Sequence, residues 1–539
     1  MGAAEVHDVA IVGAGPVGLL AAGLLGRAGL EVVVFERYPD PFGLPRAIRM
    51  DHEAMRIWQE LGIADELLTD ALPVERYEWF GADSEPIVAF DMPPAPSGWA
   101  FSYTFFQPEL EGALERLVAG LPTVVSRRGL ACTGLVERDE HVVVELRRFD
   151  LQANAPDGAA PPETVRARYL IGADGARSTV RGLLGVPLDD AGFGERWFVI
   201  DVLPNGREVA ARFPDFPMQF CEPARPHMMA PNGRRHRRWE FMLIENEDAA
   251  DYERPEHVWA LLEPWLAPDD AMVIRGAVYE FRAALAESFQ SGRRCFLVGD
   301  AAHRMPPHLG EGMCSGLRDA KALAWRLELV LRGAAGEGVL ESYTSERLPH
   351  ARALVEQSLA MGKVSCERDP AAAAQRDRAL RAAGGVEPWP FPGLGPGLGH
   401  PDERVSPPLV GQLSVQGTVG SGGREGLFDD VIGRGFVLLI DGSADGALPE
   451  GGRGAFEAIG GRIAGLGDDV RDLDGRMTGW LRAHGAAAVI VRPDYYVFGA
   501  VASPADVPLL IDDLLTQLRP GGRAAPPPSR ETEEDHVHH

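Results

Sequence analysis

Six residues near the N-terminus, Gly13-Ala14-Gly15-Pro16-Val17-Gly18, have the types and spacing to hold a phosphate. The apolar run Val9 to Val12 precedes them, Leu19 to Arg27 follows at helical spacing, and a second apolar run, Glu31 to Glu36, completes a βαβ pattern. In such a unit the first glycine permits a tight turn, the second lets backbone approach a pyrophosphate, and the third lets helix and strand pack closely. The helix N-terminus then faces the negative charge. Glu36, at the end of the second run, is an acceptor-only carboxylate suited to the vicinal hydroxyls of a ribose. These residues predict a bound dinucleotide without separating FAD from NAD.

A second site narrows the choice. The apolar run Cys295 to Asp300 predicts a strand whose last carboxylate sits at the carboxyl edge of a parallel sheet, where α/β proteins bind ligands. Pro307 and Gly310-Glu311-Gly312 then deliver backbone to a new helix, read over Gly316 to Leu331. The positive end of that helix suits the pyrimidine side of an anionic reduced flavin. The local alternative is an Asp300 that caps its own following helix. Glu311 introduces a conflict, because a carboxylate beside a flavin disfavours the anionic reduced form unless it points outward or pairs with an arginine. Asp174, in Ala173-Asp174-Gly175, reads either as a turn residue or, with Arg177 and Ser178 after it, as a ligand contact.

The stretches Gly172 to Arg181, Gly299-Asp300-Ala301-Ala302-His303, Phe42 to Ala47, Arg238 to Met242 and Pro306 to Ala320 resemble the FAD-dependent aromatic hydroxylases. This is the group of para-hydroxybenzoate hydroxylase and phenol hydroxylase, and the nearest likeness within it, over about Val6 to Met361, is to the 3-(3-hydroxyphenyl)propionate hydroxylases. The resemblance implies FAD as cofactor, NAD(P)H as a transient co-substrate, O2, and a small aromatic substrate. It implies hydride transfer to FAD, formation of a flavin C4a-hydroperoxide, and transfer of the distal oxygen to a phenolic or other electron-rich ring. Two rivals stay open: a Baeyer-Villiger or epoxidising monooxygenase acting on a polyketide, and a non-catalytic flavin-binding protein.

By the same resemblance Asp300 binds the flavin ribitol, with Gln107 beside it, and Asp174 supports both nucleotides. Arg46 contacts the flavin pyrophosphate or the incoming nicotinamide nucleotide, against the alternative of a surface loop arginine. Cys132 offers its backbone to the adenine or is simply a small core residue. Gly13, Gly15, Pro16, Val17, Gly18, Glu36, Arg37, Pro307, Gly310, Gly312 and Met313 complete the expected cofactor set. On the substrate side, a strand from Trp239 to Leu243 places Arg238, Glu240 and Met242 on one face by the two-residue period. Arg238 or Glu240 then positions a phenol or assists its deprotonation, the alternative being ordinary strand-surface charges. His308 is a further candidate acid or base, and His303 reads as structural.

The elements needed to position these groups predict an α/β protein: a Rossmann-type FAD-binding domain (1–75, 105–185, 286–380) with an inserted β-sheet substrate domain (76–104, 186–285). Asp51 is placed to cap a helix over His52 to Leu61 that ends at Gly62. A Gly- and Pro-dense linker (384–408) leads to a C-terminal α/β domain (409–520), and the tail 521–539 reads as disordered. Leu427-Phe428-Asp429-Asp430, Gly433-Arg434-Gly435-Phe436 and Arg492-Pro493-Asp494-Tyr495 resemble the thioredoxin-like domain that follows phenol hydroxylase. That domain has no cysteine, so thiol redox chemistry is excluded and an assembly or stabilising role is expected.

Composition limits the partners. At 539 residues the chain has room for two or three cores, and a net charge of −26 argues against a nucleic-acid partner. Five widely spaced cysteines without a Cys-x-x-Cys fit neither a disulfide framework nor a metal site, and point to a reducing cytoplasm. No apolar stretch is long enough to predict a membrane span. A homodimer is what the resemblance implies.

Overall fold

The computed structural model describes residues 6–159, 161–252, 254–384, 390–400, 405–406, 408–443, 450–467 and 469–520. The expected disordered tail lies outside them, as does part of the expected linker.

The phosphate-binding pattern folds as read. β1 (Val6–Val12), α1 (Pro16–Arg27) and β2 (Val32–Glu36) form a parallel βαβ unit, with Val9 opposite Val32 and Val12 opposite Phe35. Val9, Ala10 and Ile11 are wholly buried, which is why this strand is apolar on both faces. Gly13 has φ +110°, and a Cβ there would lie 2.3 Å from the Ala173 carbonyl oxygen. At Gly18 a Cβ would lie 2.0 Å from the Gly13 carbonyl oxygen, so helix and turn touch backbone to backbone. Gly18→Ala is therefore expected to cost about 1–3 kcal/mol of stability through overpacking. A thermal melt superimposable on the wild type's would contradict this reading of the turn.

Further along, α2 (His52–Leu61) is capped by Asp51, whose carboxylate accepts from Ala54 N at 2.8 Å, and it ends at Gly62 with φ +67°. β3 (Glu163–Gly172) joins β1 in parallel, and β4 (Leu188–Pro204), β5 (His236–Met242) and β6 (Ala271–Ala286) belong to a second sheet. β7 (Cys295–Leu297) returns to the first sheet beside β3, and α3 (Gly312–Leu331) and α4 (Glu341–Ser365) follow. The parallel core thus runs Val124–Arg128, β2, β1, β3, β7, and the carboxyl ends of these strands meet at one edge.

The second sheet has eight strands, in the order His303–Arg304, β6, β4, β5, His227–Asn232, Met218–Phe220, Arg76–Phe80, Pro86–Asp91. In β5, Arg238 stands opposite Asp201 of β4 and Glu240 opposite Val199. Trp239 and Phe241 turn to the other face, where they pack with Phe198, Ile200 and Leu262.

Three local expectations need correction. The strand before Asp300 stops at Leu297, because Gly299 takes φ +59° and opens a short 3-10 turn over Gly299–Ala301 that carries Asp300. The following helix starts at Gly312, four residues before its expected start, directly after the left-handed Gly310. Within the Gly- and Pro-dense segment, residues 390–400 pack tightly instead of spanning free. Gly395 N donates to Glu346 O and Leu398 N to the Glu346 carboxylate, and a Cβ at Gly397 would lie 2.3 Å from that side chain. Here glycine serves close approach to α4, and not flexibility.

Beyond it a four-stranded sheet has the order Arg462–Leu466, Val437–Asp441, Ala488–Val491, Val497–Val501, its first pair parallel and the others antiparallel. One face of this sheet shares a continuous core with the first sheet and its helices, and the other buries a separate cluster including Val437, Leu439 and Leu481.

Candidate active site

One cavity of about 1560 Å³ opens from the carboxyl edge of the parallel sheet to the inner face of the eight-stranded sheet. It is lined at one end by Gly13, Gly15, Pro16, Val17, Glu36, Arg37, Cys132 and Asp174, in its middle by Arg46, Gln107, Asp300, Pro307, Gly310, Gly312 and Met313, and at the far end by Arg238, Glu240 and His308. Of the expected site residues only Gly18 lies off the cavity, buried behind the turn it shapes.

The dinucleotide end has the donors an anion needs. α1 is preceded by Gly15 as its N-cap, which offers no side-chain cap; Pro16 opens the first turn, and a Cβ at Gly15 would meet nothing within 4 Å. The free N–H groups of that turn and the open space beside them suit a pyrophosphate. Glu36 braces the turn, its carboxylate accepting from Ala14 N at 2.9 Å and Tyr38 N at 3.0 Å, a function additional to the ribose contact expected of it. Asp174 lines the cavity and also supports the start of the short helix Thr179–Leu183, accepting from Ser178 Oγ, the helix's N-cap, at 2.5 Å and from Thr179 N at 2.6 Å. Burial raises its carboxyl above the usual range, and these donors oppose the rise.

Asp300 is exposed to the cavity from its 3-10 turn and has no hydrogen-bond partner among the described residues. A carboxylate left open beside an uncapped helix N-terminus fits the hydroxyl chain of a ribitol. The turn is held from behind by Asp319, which accepts from Gly299 N at 3.0 Å, from Arg347 Nε at 2.9 Å and sits 2.6 Å from His303 Nε2. His303 is thus structural, as read, and Asp319 is a supporting residue that no local pattern announces. Losing charge-assisted bonds of about 1.5–3 kcal/mol, Asp300→Ala is expected to weaken FAD binding roughly 10- to 100-fold. Fluorescence titration of the apoprotein measures this, and normal FAD affinity in the variant defeats the ribitol assignment.

The conflict over Glu311 is resolved by pairing. Its carboxylate lies 2.5 Å from Arg49 Nη1 and 3.0 Å from Arg318 Nη1, so its charge is compensated at the N-terminus of α3, which carries no side-chain cap of its own. Gln107, in turn, is buried, and its Oε1 accepts from Arg46 N at 3.1 Å and Ala47 N at 2.7 Å, shaping the loop that carries Arg46. The Arg46 guanidinium is exposed and stacks 4.8 Å over the Phe42 ring, while Cys132 is buried with its thiol toward Gly134 O.

At the far end Arg238 is neither a surface charge nor a free donor. Its Nε and Nη2 pair with the two Asp201 oxygens at 2.7 and 2.9 Å, Nη1 donates to Arg46 O at 2.6 Å, and Nη2 also reaches Pro45 O at 3.1 Å. Asp201 is fully buried and also accepts from Asn232 at 2.9 Å. Glu240 is buried too, and its nearest charge partner is Arg238 Nη1 at 3.5 Å. Burial raises its carboxyl above the ordinary range, with Arg238 opposing. Met242, expected on the same face, packs with Trp197 and Cys366 outside the cavity.

His308 rides on the turn Pro307–Leu309, edge-on to Trp197, and lines the cavity together with Glu240. Its Nε2 has no hydrogen-bond partner among the described residues and lies 3.7 Å from Glu195 Oε2. With the Cys366 thiol these atoms fall within 4.8 Å of one another, a grouping of ligand types that sequence spacing gave no reason to expect. Tyr77, Trp79, Phe90, Met228 and Met361 make the apolar wall. The aromatic pieces in the sequence hinted at them, but their convergence is tertiary.

An uncapped glycine turn at the edge of the parallel sheet, opening onto a chamber walled by apolar side chains and the buried Glu240, is an arrangement suited to a dinucleotide cofactor beside an organic substrate. The comparisons make the class specific. The chain belongs to the FAD-binding domain family, whose model matches residues 6–358, and residues 411–517 match the HcaD C-terminal domain. It is 38% identical to a probable NADH-specific resorcinol 4-hydroxylase of Rhodococcus jostii, over 97% of each chain. It is 32% identical to a 3-(3-hydroxy-phenyl)propionate/3-hydroxycinnamic acid hydroxylase of Burkholderia vietnamiensis, over 91% of this chain and 93% of that one. The fold is shared with the flavin-dependent monooxygenase PieE, with a TM-score of 0.80 at 24% identity over 96% and 100% of the two chains. The protein is thus an FAD-dependent aromatic monooxygenase that uses NAD(P)H and O2. Among the described residues no helix is long and apolar enough to cross a membrane.

Proposed function

We propose that the substrate is a single-ring phenol of the resorcinol kind, that NADH is the reductant, and that Glu240 accepts the phenolic proton. The observation that carries this reading is the continuity of the cavity, which joins Asp300 and the Gly310–Gly312 turn to Glu240 and His308 without an intervening wall. Support for the substrate and the reductant comes from the resorcinol 4-hydroxylase relative, which matches along nearly its whole length.

FAD, when bound, supplies the hydride acceptor and the place where O2 is activated. Asp300, the amides of the first α1 turn and the N-terminus of α3 hold it. The apolar wall of Trp79, Phe90 and Met361 orients the ring and excludes water. Glu240, buried beside Arg238, removes the hydroxyl proton, and the phenolate so formed is a richer electron donor at the carbons ortho and para to its oxygen. His308 lines the same chamber and is the second candidate to handle that proton. Arg238 acts by holding Asp201 and the 45–47 loop, and is a positioning residue.

The wider reading keeps the flavin unit (1–75, 105–185, 286–380), the substrate unit (76–104, 186–285) and a C-terminal unit (409–520) of thioredoxin-like type, supported by its mixed four-stranded sheet. Lacking cysteine, that unit stabilises and does no thiol chemistry. A cytoplasmic homodimer without nucleic-acid or membrane partners completes it.

The test is NADH and NADPH oxidation by the FAD-loaded protein with resorcinol, 3-(3-hydroxyphenyl)propionate and larger phenols, with products identified by mass spectrometry. NADH consumption matched by a trihydroxybenzene from resorcinol supports the proposal. Matched product only from the propionate or from multi-ring phenols overturns the substrate assignment.

A further inference from the structure

Beneath the first turn of α3 lies a buried charge cluster that sequence order conceals. Arg318, 2% exposed, donates Nε to Glu53 Oε2 at 2.6 Å, Nη1 to Glu311 Oε2 at 3.0 Å and Nη2 to Asp51. Arg49 shares Glu311 from the other side. Two guanidiniums therefore face three carboxylates, and how Arg318 divides itself among them decides how fully Glu311, on the cavity wall, is neutralised. The C-terminal unit reaches into this cluster through one hydroxyl: Tyr496 Oη donates to Glu53 Oε2 at 3.2 Å. From the segment before that unit, the Phe391 ring stacks 4.7 Å from the Arg318 guanidinium.

The C-terminal unit is also held by ion pairs that do not include Arg318 or Glu311. Arg56 pairs with Asp429 at 2.7 and 2.9 Å, and Arg492 holds Glu346 at 2.7 and 2.9 Å together with Asp494. Tyr495, next in the chain, donates to Glu60, whose carboxylate pairs with Lys321 and not with Arg318. Two adjacent tyrosines thus enter the same interface, one linked to the cluster at the α3 N-terminus and one not.

We propose that Tyr496 is a positioning residue for the flavin end of the site. By satisfying Glu53 it leaves Arg318 free to neutralise Glu311, and through Glu311 it fixes the charge and placement of the first turn of α3. The C-terminal unit, without any group in the cavity, thereby tunes the cofactor site about one side chain away. The inference rests on the cofactor lying at that helix N-terminus, as the proposed function has it.

The experiment compares Tyr496→Phe and Tyr495→Phe with the wild type as full-length protein, measuring FAD affinity of the apoprotein, the midpoint potential of the bound flavin, and thermal stability. In Tyr496→Phe, Glu53 draws Arg318 toward itself and Glu311 is less compensated. The potential is expected to become more negative and the FAD dissociation constant to rise on the order of threefold or more. Tyr495→Phe lowers thermal stability but leaves potential and affinity unchanged. Glu53→Gln removes the competitor for Arg318 and is expected to move the potential the opposite way, which a general loosening of the interface does not do. Unchanged potential and affinity in Tyr496→Phe, or the same shift in both tyrosine variants, overturns the proposal. Asp300→Ala run alongside separates the two layers: if it too leaves FAD affinity intact, the cofactor placement has failed, and not merely the role of Tyr496.

Discussion

Glu240→Gln lowers kcat/KM for the phenolic substrate about 10²- to 10⁴-fold, the contribution of a positioned proton acceptor, with FAD content unchanged. Glutamine keeps the size and the approach to Arg238 but cannot accept a proton. The pH profile carries the stronger signature. Burial holds the Glu240 carboxyl above its ordinary value, so the active carboxylate appears only as pH rises through that elevated pKa, and the rate is lost as pH falls through it. In the glutamine variant this acidic limb disappears and the residual rate is flat. Steady-state kinetics across pH with the identified substrate make the check. A variant that keeps the limb moves the role to another group, and His308, which faces the same chamber with its Nε2 unpartnered, is the next to test.

Arg238→Ala removes about 3–5 kcal/mol of stability, the cost of leaving a buried charge without its partner. Asp201 has no exposed surface, and without Arg238 it keeps the Asn232 amide as a hydrogen-bond donor and loses its paired guanidinium. The carbonyls of Pro45 and Arg46 lose donors in the same step, so the loop beside the cofactor site loosens and FAD binds more weakly. Chemical denaturation gives the first effect and FAD titration the second. A double variant, Arg238→Met with Asp201→Leu, removes both charges and is expected to recover most of the lost stability without restoring the loop. Wild-type stability in Arg238→Ala contradicts the ion-pair account.

How far each part was legible follows from the range of the forces involved. The βαβ turn was readable because its requirement is steric and lies within a few dozen residues: only glycine tolerates Gly13's φ and Gly18's backbone contact. The cap and stop of α2, Asp51 and Gly62, were readable for the same reason. The break at Gly299 was not, since an apolar run carries no mark of where pairing ends. Pairing ends where Asp319, twenty residues on, claims the Gly299 amide. The Gly- and Pro-dense segment was read as a spacer because composition does not tell glycine used for freedom from glycine used for close approach to Glu346.

The sequence by itself determined the βαβ turn, the α/β character and the glycines and acids grouped at the carboxyl edge of the parallel sheet, because these rest on local sterics, short periodicities and motifs with one backbone solution. The tertiary structure alone decided what the charged side chains do. Arg238 is 37 residues from Asp201, Arg318 is 265 from Glu53, and Tyr496 is 443 from the same carboxylate. An arginine written in sequence is only a donor of five hydrogen bonds. Whether it meets substrate, cofactor or a buried carboxylate depends on which acids the fold removes from water beside it, since a desolvated carboxylate outbids any contact left in solvent.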